Sequence, residues 1–140
     1  MDNIGKNIGI LCRQLNLYLN HSLENCGVTA TEIMYLGSLL LKDGVSQEEL
    51  AKEFSVDKAA VARTLQSMEN KGLVTRTNDA KDKRSKLVYI TESALQYKDT
   101  LLSIQNNWYH AVIDNIDDDS REIFGNVLES IVEKTRMLNN

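Results

Sequence analysis

Apolar residues near the start of the chain recur at helical spacing. Ile4, Ile8, Leu11, Leu15, Tyr18 and Leu19 form one stripe, and Ile10 and Leu17 widen it. This pattern predicts a helix from Ile4 to Cys26, stopped by Gly27, with an apolar face broad enough to be covered on two sides. A second helix is expected from Thr29. Thr29 and Glu32 have the spacing of a capping box, and Ile33, Met34, Leu36, Leu39, Leu40 and Leu41 carry the helix to a turn at Lys42–Asp43–Gly44. Ser46 and Glu49 repeat that spacing ahead of a third helix, whose inward residues are Leu50, Ala51 and Phe54. After the three residues Ser55 to Asp57, Asp57 is placed to cap a fourth helix running from Lys58 to Lys71 and closed by Gly72.

Beyond Gly72 the period changes. Leu73 to Thr77 can form a strand, Asn78 to Arg84 is a polar, charged tip, and Lys86 to Ile90 alternates in the strand period of two. The expected unit is a β-hairpin directly after a pair of helices. From Thr91 the chain returns to helical spacing through Leu95, Leu101, Leu102, Ile104, Trp108, Val112 and Ile116. The run Asp117–Asp118–Asp119 interrupts it, and Asp119 is expected to cap a last helix carrying Ile123, Phe124, Val127, Leu128, Ile131, Val132 and Leu138. The fold class is therefore mainly α with a small β-hairpin wing. A winged helix-turn-helix spans residues 29–91, and helical dimerisation segments at 1–28 and 92–140 flank it in one continuous unit.

Composition narrows the function. Of 140 residues, 42% are apolar and 26% charged, and Pro is absent; these values are ordinary for a globular domain. The first ten residues hold one Lys and no long apolar core, so neither a secretory signal nor a membrane span is expected. Cys12 and Cys26 have no metal-ligand spacing and read as free thiols of a reducing, cytoplasmic compartment. His21 and His110 are isolated, so no metal site or cofactor is expected. With no glycine-rich phosphate loop and no nucleophile motif, an enzyme is not the expected reading.

The net charge of −4 disfavours a polyanionic partner until its distribution is considered. Between Lys58 and Lys86 there are eight basic residues and only three acidic ones. Such a local excess matters more to a polyanion than the total, because salt screens charges beyond about 8–10 Å. On the fourth helix, Val61, Leu65 and Met68 share one face and should pack inward. The opposite face holds Lys58, Ala59, Ala62, Arg63, Gln66 and Asn70, with no acid among them. Small residues allow close approach to base edges, Arg can bond guanine bidentately, and Gln can do the same with adenine. The hairpin supplies Lys81, Lys83 and Arg84 at its tip and Lys86 at the start of its second strand, beside this helix, with Asp82 two residues before Arg84, where it could orient the guanidinium. Double-stranded DNA is the partner this constellation fits, with Ser46 at the start of the supporting helix as a further contact. A winged helix used only for protein interaction is the alternative, but it would not need a basic, acid-free face.

The stretch VSQEELAKEFSVDKAAVARTLQSMENKGLVTRTNDAKDKRSKLVYIT, about a third of the chain, resembles the winged helix of the MarR family of bacterial regulators. Its most specific pieces are VDKAAVARTLQSMENKGLV, DKR and the strand ending YIT. The resemblance implies a homodimer with interlocked first and last helices, reading a pseudo-palindromic operator. It implies Arg84 as the wing-tip arginine with Asp82 as its partner, and a repressor or activator that answers a small molecule or an oxidant. The sequence departs from the family pattern at Ser55 and Ala94, where glycine is common.

A dimer also follows from the stripes themselves. Some 60 residues of winged helix make a marginal core, and the outer helices carry more apolar surface than it can cover. Ile4, Ile8, Leu11, Leu15, Val112, Ile116, Phe124, Val127, Leu128 and Ile131 are the expected interface, with a larger monomeric bundle as the alternative. Tyr18, Tyr35, Trp108 and Tyr109 are candidates to line a small-molecule pocket, although aromatic residues at helical spacing are more often core. Cys12 is expected to be buried and inert, and Cys26 exposed.

Overall fold

The structure, a computed structural model, describes residues 2–140. Met1, the first residue of the expected N-terminal dimerisation segment, lies outside the described residues. The chain divides into two compact units, Met1–Leu101 and Leu102–Asn140.

The first unit opens with α1 (Ile4–Ser22). This helix ends four residues before Cys26. Leu23 is buried at 3% exposure, and the chain tightens so that Cys26 N donates to Leu23 O at 2.9 Å, before Gly27 turns it at φ 75°. Next, α2 (Ala30–Leu41) begins on the expected capping box: Thr29 Oγ1 accepts from Glu32 N at 3.1 Å, and the Glu32 carboxylate accepts from Thr29 N at 3.0 Å. For α3 (Gln47–Phe54) only half of the second box forms. Ser46 Oγ accepts from Glu49 N at 3.0 Å, whereas the Glu49 carboxylate faces Lys42 Nζ at 3.6 Å. The backbone of Ser46 is occupied elsewhere, in a two-residue strand β1 (Val45–Ser46).

After α4 (Lys58–Asn70) come β2 (Val74–Asn78) and β3 (Lys86–Ile90). The expected hairpin is thus a three-stranded antiparallel sheet in the order β1-β3-β2, with Val45 opposite Val88 and Arg76 also opposite Val88 on the other side. Asp43 closes the open end of β3, its carboxylate accepting from Ile90 N at 2.8 Å. Gly44 turns into β1 at φ 69°, and a Cβ there would stand 2.8 Å from the Tyr89 ring.

The core lies between these elements. Ile33, Leu36 and Leu39 of α2, Leu50 of α3, Val61, Leu65 and Met68 of α4, and Val74 and Val88 of the sheet are each at most 1% exposed. The three α4 residues occupy the face their spacing predicts. Burying each contributes about 1.5–3 kcal/mol before conformational entropy is set against it, which fixes the rotation of α4 and so decides which residues face outward. Tyr35 stacks on Phe54 with ring centroids 4.7 Å apart. A 3-10 turn, Ser93–Tyr97, leads into α5 (Lys98–Val112); within it Ala94 is 1% exposed.

The second unit holds the rest of α5 and α6 (Asp118–Leu138). Its helix cap is Asp117, not Asp119: the Asp117 carboxylate accepts from Ser120 N at 2.9 Å, and that bond, followed by one from the Ser120 side chain, holds the acid below its usual pKa. Arg121 donates to Tyr109 Oη at 3.1 Å and pairs with Asp118 and with Asp114, the latter also partnered by His110.

Candidate nucleic-acid interface

The outward face of α4 is built by its start and its rotation. Asp57 accepts from Ala60 N at 2.7 Å, satisfying one of the free amides at the helix start. With Val61, Leu65 and Met68 turned in, Lys58, Ala59, Arg63, Gln66 and Asn70 are exposed and Ala62 is half-buried. Ser46 caps α3 and is half-buried.

Ion pairs divide the eight cations between Lys58 and Lys86. Lys58 pairs with Glu48 at 3.1 Å, Lys71 with Glu32 at 2.7 Å, and Arg76 with Glu69 at 3.3 Å. Arg63, Lys81, Lys83, Arg84 and Lys86 have no ion pair within 4.0 Å among the described residues. The unneutralised charge is therefore on the outward face of α4 and on the hairpin, and all five side chains are exposed.

The two acids of the hairpin tip turn toward its backbone. Asp79 accepts from Lys81 N at 2.9 Å and Asp82 from Arg84 N at 3.0 Å, while Ser85 N donates to Asp82 O at 3.0 Å. This corrects the expected role of Asp82, which shapes the turn through the Arg84 amide and does not hold the guanidinium. Asp and Asn favour such local bonds over long-range pairing because the short side chain already reaches the amide two residues on. The result is a loop whose acids are spent inside it and whose Lys81, Lys83 and Arg84 point away.

Two residues lock α4 in place in ways not foreseen from the sequence: Glu32, expected only as a helix cap, and Arg76. Glu32, 2% exposed, accepts from Ser67 Oγ and Lys71 Nζ, both at 2.7 Å, as well as from Thr29 N. Burial alone would raise its pKa, but the bonds from Lys71, Ser67 and Thr29 outweigh that and hold it below the ordinary value. Arg76, with its side chain 10% exposed, donates to Glu69 and Gln66 of α4 and to Gln47 of α3. Its bond to Glu69 keeps that carboxyl low in pKa as well. A period of two would have revealed Arg76: it shares a strand face with the buried Val74.

The remaining candidates separate. Tyr35, 2% exposed in its stack with Phe54, is a core residue and cannot line an open pocket; burial raises its pKa. Tyr109 is engaged by Arg121, Trp108 is half-buried in the second unit, and Tyr18 is half-buried in the first. Cys12 is exposed and not buried, because no residue of α1 is buried in the single chain; Cys26 is half-buried. Ile4, Leu11, Val112, Ile116, Phe124 and Val127 are between 37% and 51% exposed, and Ile8, Leu15, Leu128 and Ile131 are half-buried. Among the described residues no helix is long and apolar enough to cross a membrane, and no cluster of metal-ligating side chains occurs.

Known proteins share both the sequence and the arrangement. A sequence model described as the MarR family matches residues 27–85. The crystal structure of a MarR transcriptional regulator from Methanosarcina mazei Go1 is 30% identical, superposes with a TM-score of 0.85, and covers 96% of this chain and 97% of its own. The chain belongs to the MarR family. An uncharacterized HTH-type transcriptional regulator of Bacillus subtilis, YdgJ, is 28% identical over 127 residues, which are 90% of this chain and 74% of that protein. A putative MarR family regulator from Listeria monocytogenes, solved with a 26mer DNA, shares the fold at a TM-score of 0.89 and 19% identity, over 96% of this chain and 89% of that one. The MarR family is one of transcription regulators, not of enzymes, and the winged helix built around α3, α4 and the hairpin is its fold.

Proposed function

We propose that this MarR-family chain is a sequence-specific double-stranded DNA-binding regulator of the cytoplasm. It acts as a homodimer on a pseudo-palindromic operator, as a repressor relieved by a small molecule or an oxidant. In this reading α4 enters the major groove. Arg63, Gln66 and Asn70 meet base edges, Ala59 and Ala62 permit close approach, and Lys58 and Ser46 lie toward the backbone. Lys81, Lys83, Arg84 and Lys86 meet phosphates or the minor groove, where narrow A·T segments attract arginine, and Asp82 shapes the turn that presents them. The observation that carries the reading is the division of charge within Lys58–Lys86: Arg63 on α4's outward face and Lys81, Lys83, Arg84 and Lys86 of the hairpin have no ion pair among the described residues, and the acids of the hairpin tip are turned to its backbone.

The homodimer is supported by α1 and α6. These helices of 19 and 21 residues bury none of their side chains in the single chain although both carry apolar stripes. A second copy is the simplest cover for that surface, and two-fold symmetry would set two half-sites about 10–10.5 base pairs apart, centre to centre. Release by a signal rests on the family alone. Selection of bound duplexes from a random pool tests the reading: a two-fold-symmetric motif supports it, and the absence of any enriched duplex overturns it. Adding phenols or peroxide to the selected complex then tests release.

A further inference from the structure

We propose that Arg76 is a positioning residue for base readout: from β2, behind α4, it fixes which way the Gln66 amide faces and so which base Gln66 prefers. The proposal rests on the DNA reading above and names a determinant that reading does not contain.

The geometry is specific. Arg76 donates through Nη2 to Gln66 Oε1 at 2.7 Å, through Nη1 to Gln47 Oε1 at 3.2 Å, and through Nε and Nη2 to the two carboxylate oxygens of Glu69, both at 3.3 Å. Gln66 Nε2 in turn donates to Asn70 Oδ1 at 2.9 Å. A guanidinium can only donate, so it accepts just one orientation of a neighbouring amide, with the oxygen toward it. Glu69 holds the guanidinium in a forked pair, and Gln47 holds it from α3. Arg76 therefore cannot swing away to let the amide turn over.

The consequence is chemical. With one acceptor position of Oε1 and one N–H of Nε2 engaged, Gln66 retains one acceptor and one donor in a fixed order. That pair matches the N6–H and N7 of adenine, whereas the O6 and N7 of guanine both ask for donors. An amide free to turn could lead with its NH2 and serve guanine as well. Arg76, itself turned inward, would thus sharpen discrimination at one base pair of each half-site. Replacing it should loosen that position and leave the Arg63 position unchanged.

The test is base frequency at every position of duplexes selected from a random pool by the full chain and its variants. Arg76→Met should lower the adenine preference at one position per half-site from roughly tenfold or more to about twofold, and in a Gln66→Ala background it should change nothing further at that position. A uniform loss of affinity with an unchanged base profile would make Arg76 purely structural and overturn the proposal. So would a base-specific effect that persists without Gln66. If Arg76→Met does not fold, Gln66→Glu decides: it keeps the contact to Arg76, removes the N–H, and should shift the preference from adenine to cytosine, whose N4–H needs only an acceptor. An unshifted profile overturns the proposal. Should the unsubstituted chain enrich no duplex, the DNA reading falls; should it enrich a motif that these variants leave intact, only the Arg76 inference falls.

Discussion

Glu32 is where α2 grips the end of α4, and two substitutions separate its charge from its shape. The carboxylate is 2% exposed; Oε1 accepts from Ser67, and Oε2 accepts from Thr29 N and from Lys71 Nζ. In Glu32→Gln the amide oxygen can keep Thr29 and Lys71, and the NH2 can donate to the Ser67 hydroxyl, so only the charge is lost. In Glu32→Met every acceptor is lost. A hydrogen bond to a charged group contributes about 1.5–3 kcal/mol, and removing one member of a buried pair costs about 3–5 kcal/mol. The Lys71 side chain is 37% exposed and can turn to water, which places the present case below that upper range. The expected losses are about 1–2 kcal/mol for Gln and about 3–4 kcal/mol for Met, the latter including the lost cap. Denaturant midpoints at fixed protein concentration measure both. Because the folded-state pKa of Glu32 is lowered, its contribution is complete above the unfolded carboxyl pKa and disappears as pH falls through the folded one. The Gln deficit should therefore be full at pH 7 and shrink below about pH 4.5. A Gln variant as stable as the parent at pH 7, or a deficit undiminished in acid, would refute the assignment of Glu32 as a charged anchor.

Two further substitutions probe the interface and its frame. Arg63→Ala should cost about 1–3 kcal/mol at the preferred duplex and relax the base choice at one position per half-site; an equal loss on all duplexes would make Arg63 a phosphate contact. Gly44→Ala should lower stability by about 1–2 kcal/mol, since alanine at φ 69° is strained and its Cβ would stand 2.8 Å from the Tyr89 ring; an unchanged melting temperature would show that Tyr89 and the turn yield freely.

Much of the architecture was legible because it is written in local periods. The α4 face followed from Val61, Leu65 and Met68, the Thr29–Glu32 box formed in full, Asp57 capped as expected, and β3 began and ended where its alternation did. What was not legible depends on distant partners. β1 is two residues long and has no period of its own; it exists because β3 is beside it. Glu49 left its expected cap for Lys42, and Asp117 rather than Asp119 won the start of α6, since three adjacent acids offer equal local claims. At the interface the sequence marked the basic region but could not sort it. Only packing shows that Lys58 and Lys71 are paired and that Asp82 serves the turn, whereas the strand period carried on from Val74 would have placed Arg76 inward. Cys12, expected to be buried, is exposed, since no residue of α1 is buried in the single chain.

The most direct test of the account is the salt dependence of duplex binding by the full chain and by Arg84→Ala. Counterion release predicts a straight fall of log affinity against log salt, with a slope of about −0.9 for each phosphate neutralised. For a dimer presenting the exposed cations of α4 and the hairpin, the slope should be several units negative, and Arg84→Ala, which removes one contact from each subunit, should make it shallower by roughly two. A slope near zero, or one that Arg84→Ala leaves unchanged, would contradict the claim that this face and its wing meet the double helix.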